Sequence, residues 1–289
     1  MEDNILEIIN LNKNYDKFKL SDINITLPRG YIMGFVGANG AGKTTTIKLI
    51  MNMIRRDSGK INVMGKDNIK YEMHIKNKTG YVGEQPVFYD DLTVRWTANF
   101  AGKFYSDWDG AAFNELLTRF GVDKTKKIKQ LSKGMRMKTA LAIALSHRPE
   151  LLILDEPTSG LDPVIRDELL DILMEFIQDE RHGVFFSSHI TSDIEKIADY
   201  VTLIDNGKII FSEEKDKILN HWKLVKGDIN KLDDYRDDLA GLKVSKTGFS
   251  GIVKDMDAFK ACHDMSLLTI DKISLDDVLL HLAKKENQK

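Results

Sequence analysis

The chain has one cysteine, Cys262, among 289 residues, so no intrachain disulfide can form. That suits a reducing compartment, and the thiol reads as a small buried hydrophobe. Net charge is missing too: 42 Lys+Arg stand against 44 Asp+Glu, a formal −2. No whole-chain basicity points to an anionic membrane surface or to nucleic acid, and no nucleic-acid partner is expected. No apolar stretch reaches the ~20 residues that a bilayer-crossing helix needs. The start, Met1-Glu2-Asp3-Asn4, is acidic and lacks the basic head and apolar run of a signal peptide. The chain is therefore expected not to span a membrane itself. Internal repeats and low-complexity segments are absent. The length suits one large domain plus a small one, and 42% hydrophobic residues allow a sizeable core.

What is present begins with a loop. Gly37-Ala38-Asn39-Gly40-Ala41-Gly42-Lys43-Thr44 fits G-x-x-x-x-G-K-[ST], the phosphate-binding pattern of nucleotide hydrolases. The apolar run Ile32–Val36 before it reads as a buried strand, and Thr45–Met51 after it as the first turns of a helix. Strand, glycine loop and helix together turn the pattern into a physical argument. Glycines let backbone N–H groups close around oxyanions, and the helix start adds partial positive charge. Lys43 is expected at the β/γ-phosphates, Thr44 on Mg2+, and Thr45 at an α-phosphate oxygen.

Coarse periodicity organises the rest. Ile5–Ile9 and Leu20–Leu27 read as strands. Asp57-Ser58-Gly59-Lys60 reads as a tight turn before the strand Ile61–Met64. Residues from about 88 to 146 read as a helical block, with helices over 91–105, 109–120 (closed by Gly121) and 133–147. Leu151–Leu154 is a continuous apolar run typical of a strand buried on both faces. A helix over 163–179, a strand over 183–187 and a helix over 191–199 follow. Asp205-Asn206-Gly207 joins two strands as a hairpin. The charged stretch Ser212–Lys217 marks a boundary, so that residues 1–215 and 216–289 read as separate domains. The second carries strand-like pieces at 242–244 and 251–253 and a final amphipathic helix near 274–285, with no catalytic motif.

Three strand ends carry polar groups. Leu151–Leu154 runs into Asp155-Glu156-Pro157, and ligands of open α/β sheets gather at the carboxyl ends of strands. Asp155 is expected to hold Mg2+ through water, and Glu156 to polarise the water that attacks the γ-phosphate. His189 follows Phe185-Phe186-Ser187-Ser188 at another strand end, and Gln85 follows Gly80–Glu84. Either residue alone reads as structural. Beside a phosphate loop they converge on one site.

Together these features resemble the ATP-binding-cassette (ABC) family over residues 5–212. Leu131-Ser132-Lys133-Gly134-Met135 is similar to the family's signature, generally Leu-Ser-Gly-Gly-Gln, and stands where the family places it. The resemblance implies an α/β fold: a P-loop NTPase core with an antiparallel β subdomain, a helical subdomain and here a small α/β C-terminal appendage. It implies an ATP- and Mg2+-dependent ATPase in which Gln85, His189 and Ser159–Pro163 match the family's Q-, H- and D-loops, with Gln85 also near the metal. It also implies an aromatic stacked on adenine; Tyr15 is the first candidate and Phe18 the alternative. Two cassettes would dimerise head to tail, Ser132 and Gly134 contacting the γ-phosphate held by the other subunit and Asp162 linking the sites. A transmembrane permease subunit is the implied partner, at the cytoplasmic face of the membrane.

Lys133 and Met135 depart from the pattern where the family has Gly and Gln, yet Ser132 and Gly134 remain, so hydrolysis is expected to survive. Ser-Lys-Gly-Met and the ending Ser274–Leu282 resemble cassettes of bacterial multidrug and antibiotic exporters. An importer cassette and a soluble mechanical ATPase on ribosomes or DNA are the alternatives. The single phosphate loop and the lack of a long heptad insert between Ser58 and Gln130 weigh against the latter.

Overall fold

The structure is a computed structural model that describes residues 4–283. The first three residues of the acidic start and positions 284–285 of the expected last helix lie outside the described residues. In chain order the elements are β1 (Asn4–Tyr15), β2 (Phe18–Pro28), β3 (Ile32–Val36), α1 (Lys43–Ile50), β4 (Ser58–Val63), β5 (Lys66–Asp67), α2 (Glu72–Lys78) and β6 (Thr79–Val82). Next come α3 (Val94–Gly102), α4 (Gly110–Arg119), α5 (Lys133–Leu145), β7 (Leu151–Asp155), α6 (Pro163–Phe176), β8 (Gly183–Ser188), α7 (Thr191–Ile197), β9 (Tyr200–Asp205) and β10 (Lys208–Glu214). The remainder forms α8 (Lys215–His221), β11 (Lys223–Asp228), β12 (Ala240–Val244), β13 (Gly248–Val253), α9 (Met256–Cys262), β14 (Leu268–Lys272) and α10 (Leu275–Leu282).

The central sheet has the order β10-β9-β3-β8-β7-β6. All its pairs are parallel except the edge hairpin β9–β10. Period-2 alternation divides two cores between its faces. Met33, Phe35, Leu151, Ile153 and Phe185 pack toward the antiparallel sheet β2-β1-β4-β5 and α1. Ile32, Val36, Leu152, Leu154, Val184 and Phe186 pack under the helical block, α6 and α7. Phe35, Phe185 and Phe186 are wholly buried, each worth about 2–3 kcal/mol in area removed from water. Helix α7 presses directly on β3: a Cβ on Gly34 would lie 2.4 Å from Ile194 Cγ2.

Local signals set the helix ends. Thr93 Oγ1 accepts the Trp96 N–H at 3.2 Å, which starts α3 three residues later than the spacing suggests. Its end comes early because Gly102 lies flat against Trp108, where a Cβ would be 2.7 Å from the ring. Gly121, at φ +65°, follows α4 in the left-handed region that favours glycine. The expected turn at Ser58-Gly59 is instead the start of β4, with Gly59 passing so close to β1 that a Cβ would lie 2.4 Å from Asn10 O. Trp96, Phe100 and Phe104 recur every four residues and so share one side of α3 and its extension. Trp96 and Phe100 stack at 5.2 Å, Phe104 meets Phe100 edge-on at 5.2 Å, and all three are exposed. Tyr105 and Trp108 turn inward, onto His147 and Phe113.

The expected boundary at 215/216 falls at the first residue of α8. Beyond it, β12-β13-β11-β14 form a third, wholly antiparallel sheet with its own core of Val225, Leu232, Tyr235, Phe249 and Phe259. This unit is also stitched to the rest. Trp222 meets Phe211 edge-on at 5.1 Å, and Ile252, Ile273, Leu275 and Val278 continue the core under the central sheet. Helix α10 lies on α7, where Leu275 N–H donates to Glu195 Oε1 at 2.6 Å and Thr191 Oγ1 donates to Asp276. Cys262, read from the sequence as buried, is exposed at the end of α9, where Phe259 takes the inward place.

Candidate functional site

Strand β3 delivers Gly37 to the top of the sheet, next to the ends of β8 and β9. The loop needs its glycines. Gly40 and Gly42 sit at φ +81° and +118°, and a Cβ on Gly37 would come within 2.4 Å of Ile204 O. Gly42 is the N-cap of α1 and no side chain caps that helix, so its first N–H groups remain available to an anion. A cavity of about 820 Å3 opens there. Its wall comprises Lys17, Phe18, Ala38–Gly40, Gly42–Thr45, Glu84, Glu156, Ser159, His189 and Asn206. Thr44 and Thr45 thus stand on the cavity wall, while Thr46 is buried and donates back to Gly42 O at 2.9 Å. Beyond Gly37–Ala41 lies a smaller cavity of about 390 Å3, closed on its far side by Leu279, Leu280 and Ala283 of the C-terminal unit.

Lys43 is 6% exposed and its ammonium donates to Gly37 O at 2.7 Å and Ala38 O at 3.2 Å. It also lies 3.1 Å from Glu156 Oε1, an oxygen that receives no aligned hydrogen bond. The other carboxylate oxygen of Glu156 accepts the His189 backbone N–H at 3.2 Å and meets His189 Nδ1 at 2.6 Å. Three groups predicted from separate motifs therefore form one chain, Lys43–Glu156–His189. Asp155 sits behind it, 3% exposed, with Oδ1 accepting Ser187 Oγ–H at 2.7 Å; the same hydroxyl oxygen accepts the Glu156 N–H at 3.0 Å. Burial, and next the Asp155 charge, push the Tyr81 phenol above its ordinary range. Glu156 has φ +51°, a left-handed backbone that costs a non-glycine residue about 1–3 kcal/mol and clusters at functional sites.

Other expected residues stand apart. Tyr15 ends β1, about half exposed, with Lys13 Nζ 5.4 Å from its ring centre, and does not line the cavity; Phe18 does. Gln85 is exposed on the loop after β6, where Glu84 is the residue on the wall. Ser132 is the N-cap of α5, its Oγ accepting the Met135 N–H at 3.2 Å, and Gly134 is buried against Ile165. Neither lines the phosphate cavity. Asp162 caps α6, one oxygen accepting the Val164 and Ile165 N–H groups at 3.1 Å each. Within α6, Arg166 pairs with the buried Asp193 of α7 at 3.0 Å, which ties the two helices together.

The ABC transporter family model matches residues 20–159. The bacitracin transport ATP-binding protein BcrA of Bacillus licheniformis is 38% identical over 209 residues, which are 71% of this chain and 68% of that one. The lantibiotic transport ATP-binding protein SrtF of Streptococcus pyogenes is 34% identical over 228 residues, 78% of this chain and 97% of that one. The chain belongs to the ABC transporter family. A solved ATP-binding subunit of an ABC transporter superposes with a TM-score of 0.68 at 28% identity, covering 74% of this cassette and 91% of its own length. The cassette is thus the ATP-binding, ATP-hydrolysing subunit of a membrane transporter. Among the described residues no helix is long and apolar enough to cross a membrane.

Ser159 stood inside the D-loop match Ser159–Pro163, whereas Lys17, Glu84, Asn206 and Ser187 of this cassette escaped sequence reasoning as site residues. Ser187 lies in the run before His189 and Glu84 stands next to Gln85, so adjacency to those positions was the available signal. Lys17 and Asn206 carry none, since only the fold brings their loops to the phosphate cavity.

Proposed function

We propose that this cassette powers an exporter by hydrolysing Mg–ATP between its phosphate loop and the signature turn of a second cassette. The chain Lys43–Glu156–His189 carries the reading. A phosphate group in the loop competes for the Lys43 ammonium with Gly37 O, Ala38 O and Glu156. Transfer of Lys43 to phosphate releases Glu156 Oε1, already without a hydrogen bond, to accept the proton of the attacking water. His189 Nδ1, 2.6 Å from the other oxygen, fixes the carboxylate, and the N–H groups of α1 neutralise charge on the transferred group.

The donors present fit Mg2+, which takes one or two protein oxygens beside phosphates and water. Thr44 stands on the cavity wall and Asp155 is oriented by Ser187 behind it; Gln85 joins them only if its loop swings inward. When bound, the metal draws charge off the β- and γ-oxygens. Phe18, on the wall, supports stacking on adenine better than Tyr15 does.

Ser132 and Gly134 lie outside the chain's own cavity, which supports their service to a second cassette's γ-phosphate, with Asp162 near the shared axis. The stacked, exposed row Trp96–Phe100–Phe104 supports a docking wall for a transmembrane permease subunit, since exposed aromatics favour interfaces. That complex puts the cassette at the cytoplasmic face of the membrane. The relatives named for bacitracin and lantibiotic transport support export of peptide antibiotics. Residues 1–215 serve as the ATPase unit and 216–289 as the accessory unit.

Purification of the tagged chain from its native membranes tests the reading. A co-purifying membrane-spanning subunit and ATP hydrolysis by the complex are expected. A soluble complex with ribosomes or DNA in its place overturns it.

A further inference from the structure

Lys133 stands where the family pattern has glycine, and the fold gives this lysine a partner. It is the first residue of α5, the helix end least suited to a cation because the aligned peptide dipoles place partial positive charge there. Its ammonium instead crosses to the turn before α6 and donates to Ser159 O at 2.6 Å. Gly160 makes the room: at φ +66° a Cβ there would lie 2.8 Å from Lys133 Nζ. Beside it, Gly134 packs so tightly on α6 that a Cβ would lie 2.5 Å from Ile165 Cδ1. The start of α5 and the turn into α6 are thus joined twice, by packing and by the lysine. Ser159, in addition, is on the wall of the chain's own phosphate cavity.

We infer that Lys133 is a positioning residue that couples the two nucleotide sites of the dimer. It ties Ser132 and Gly134, which serve the partner's γ-phosphate, to Ser159, which faces the chain's own. This rests on the head-to-tail reading given under the proposed function. Nucleotide that shifts the Ser159 turn in one site also shifts the donors offered to the other, and without the ammonium the two turns move separately. The link is one hydrogen bond from a charged donor, so its loss weakens coupling without abolishing turnover.

The test uses the full chain with Lys133→Met, which keeps the stem and loses the donor, and Lys133→Arg, which keeps a donor. Lys133→Met is expected to lower kcat about 10-fold, the worth of one such bond, with ATP-analogue binding by the dilute single chain unchanged. Lys133→Arg retains most of the rate. Gly160→Asn tolerates the left-handed backbone but its Cβ displaces the ammonium. It should reproduce Lys133→Met, and the double variant should fall no further. In a Glu156→Gln background, ATP-driven dimerisation should weaken on Lys133→Met. If Glu156→Gln itself never dimerises with ATP, the head-to-tail reading fails and this inference with it. If it dimerises equally well with and without Lys133, or if Arg falls as far as Met, the inference alone is overturned.

Discussion

At the phosphate loop, Lys43 and Glu156 are 6% and 7% exposed and hold each other at 3.1 Å. At the start of α5, by contrast, Ser132 and Lys133 stand in solvent, the Ser132 hydroxyl accepting the Met135 N–H and the Lys133 ammonium donating to Ser159 O. The first face gathers its groups within one chain: acid, cation, histidine and helix N-terminus converge. The second is a helix start whose Ser132 and Gly134 do not line that chain's own phosphate cavity. An enclosed face binds and an open face waits for company, so concentration and partner identity should affect the second far more than the first.

Substitutions can break that contrast. Glu156→Gln should show the largest effect, a fall in ATP turnover of about 10^3-fold, with ATP still bound and a dimer accumulating on size-exclusion chromatography. Normal turnover would remove Glu156 from the base role. Lys43→Ala should lower turnover by about 10^2-fold or more and weaken binding of an ATP analogue even by the dilute single chain, because it alters the enclosed face. Ser132→Ala should leave single-chain binding alone while reducing turnover about 10-fold. As this serine also caps α5, thermal unfolding should show a loss of about 1 kcal/mol. Equal loss of single-chain binding in Ser132→Ala would end the distinction between the faces.

The smallest effect concerns pH. His147, just past the end of α5, is wholly buried against Tyr105, and burial lowers its pKa below the ordinary 6.5. The unfolded chain therefore takes up a proton that the folded chain refuses, so stability is present above pH 6.5 and declines as pH falls below it. The melting temperature should drop on acidification, with a shallower slope in His147→Gln. Hydrogen-exchange protection, taken relative to the intrinsic rate at each pH, should fall in the helical block before it does around Lys43–Ile50.

What the chain's order of residues revealed was what is decided locally. Gly37–Thr44 and Leu151–Glu156 are each a strand end and the turn behind it, and the strands and the helix start fall where they were read. Tyr15 and Phe18 face each other across the β1–β2 turn. Which ring reaches the cavity depends on how that hairpin lies over α1, a long-range matter that neither residue carries. Glu84 and Gln85 differ by one position on an irregular loop, where no period fixes direction. In the last seventy residues, β11 pairs along both edges with strands that follow it by twenty positions or more. Short apolar runs there gave pieces of the sheet without its order, and α8, β11, α9 and β14 went unread. Lys133 was visible as an anomaly, yet its partner was not, because Ser159 is distant in sequence and contributes only a carbonyl.

The lone cysteine has a practical consequence. Cys262 is exposed at the end of α9 and does not line the phosphate cavity. A maleimide dye or nitroxide added to the unmodified chain attaches at one point per copy. In a dimer, the two labels report the separation of the accessory units, so distance spectroscopy can follow ATP-driven closure with no cysteine removed and no residue of the phosphate cavity touched.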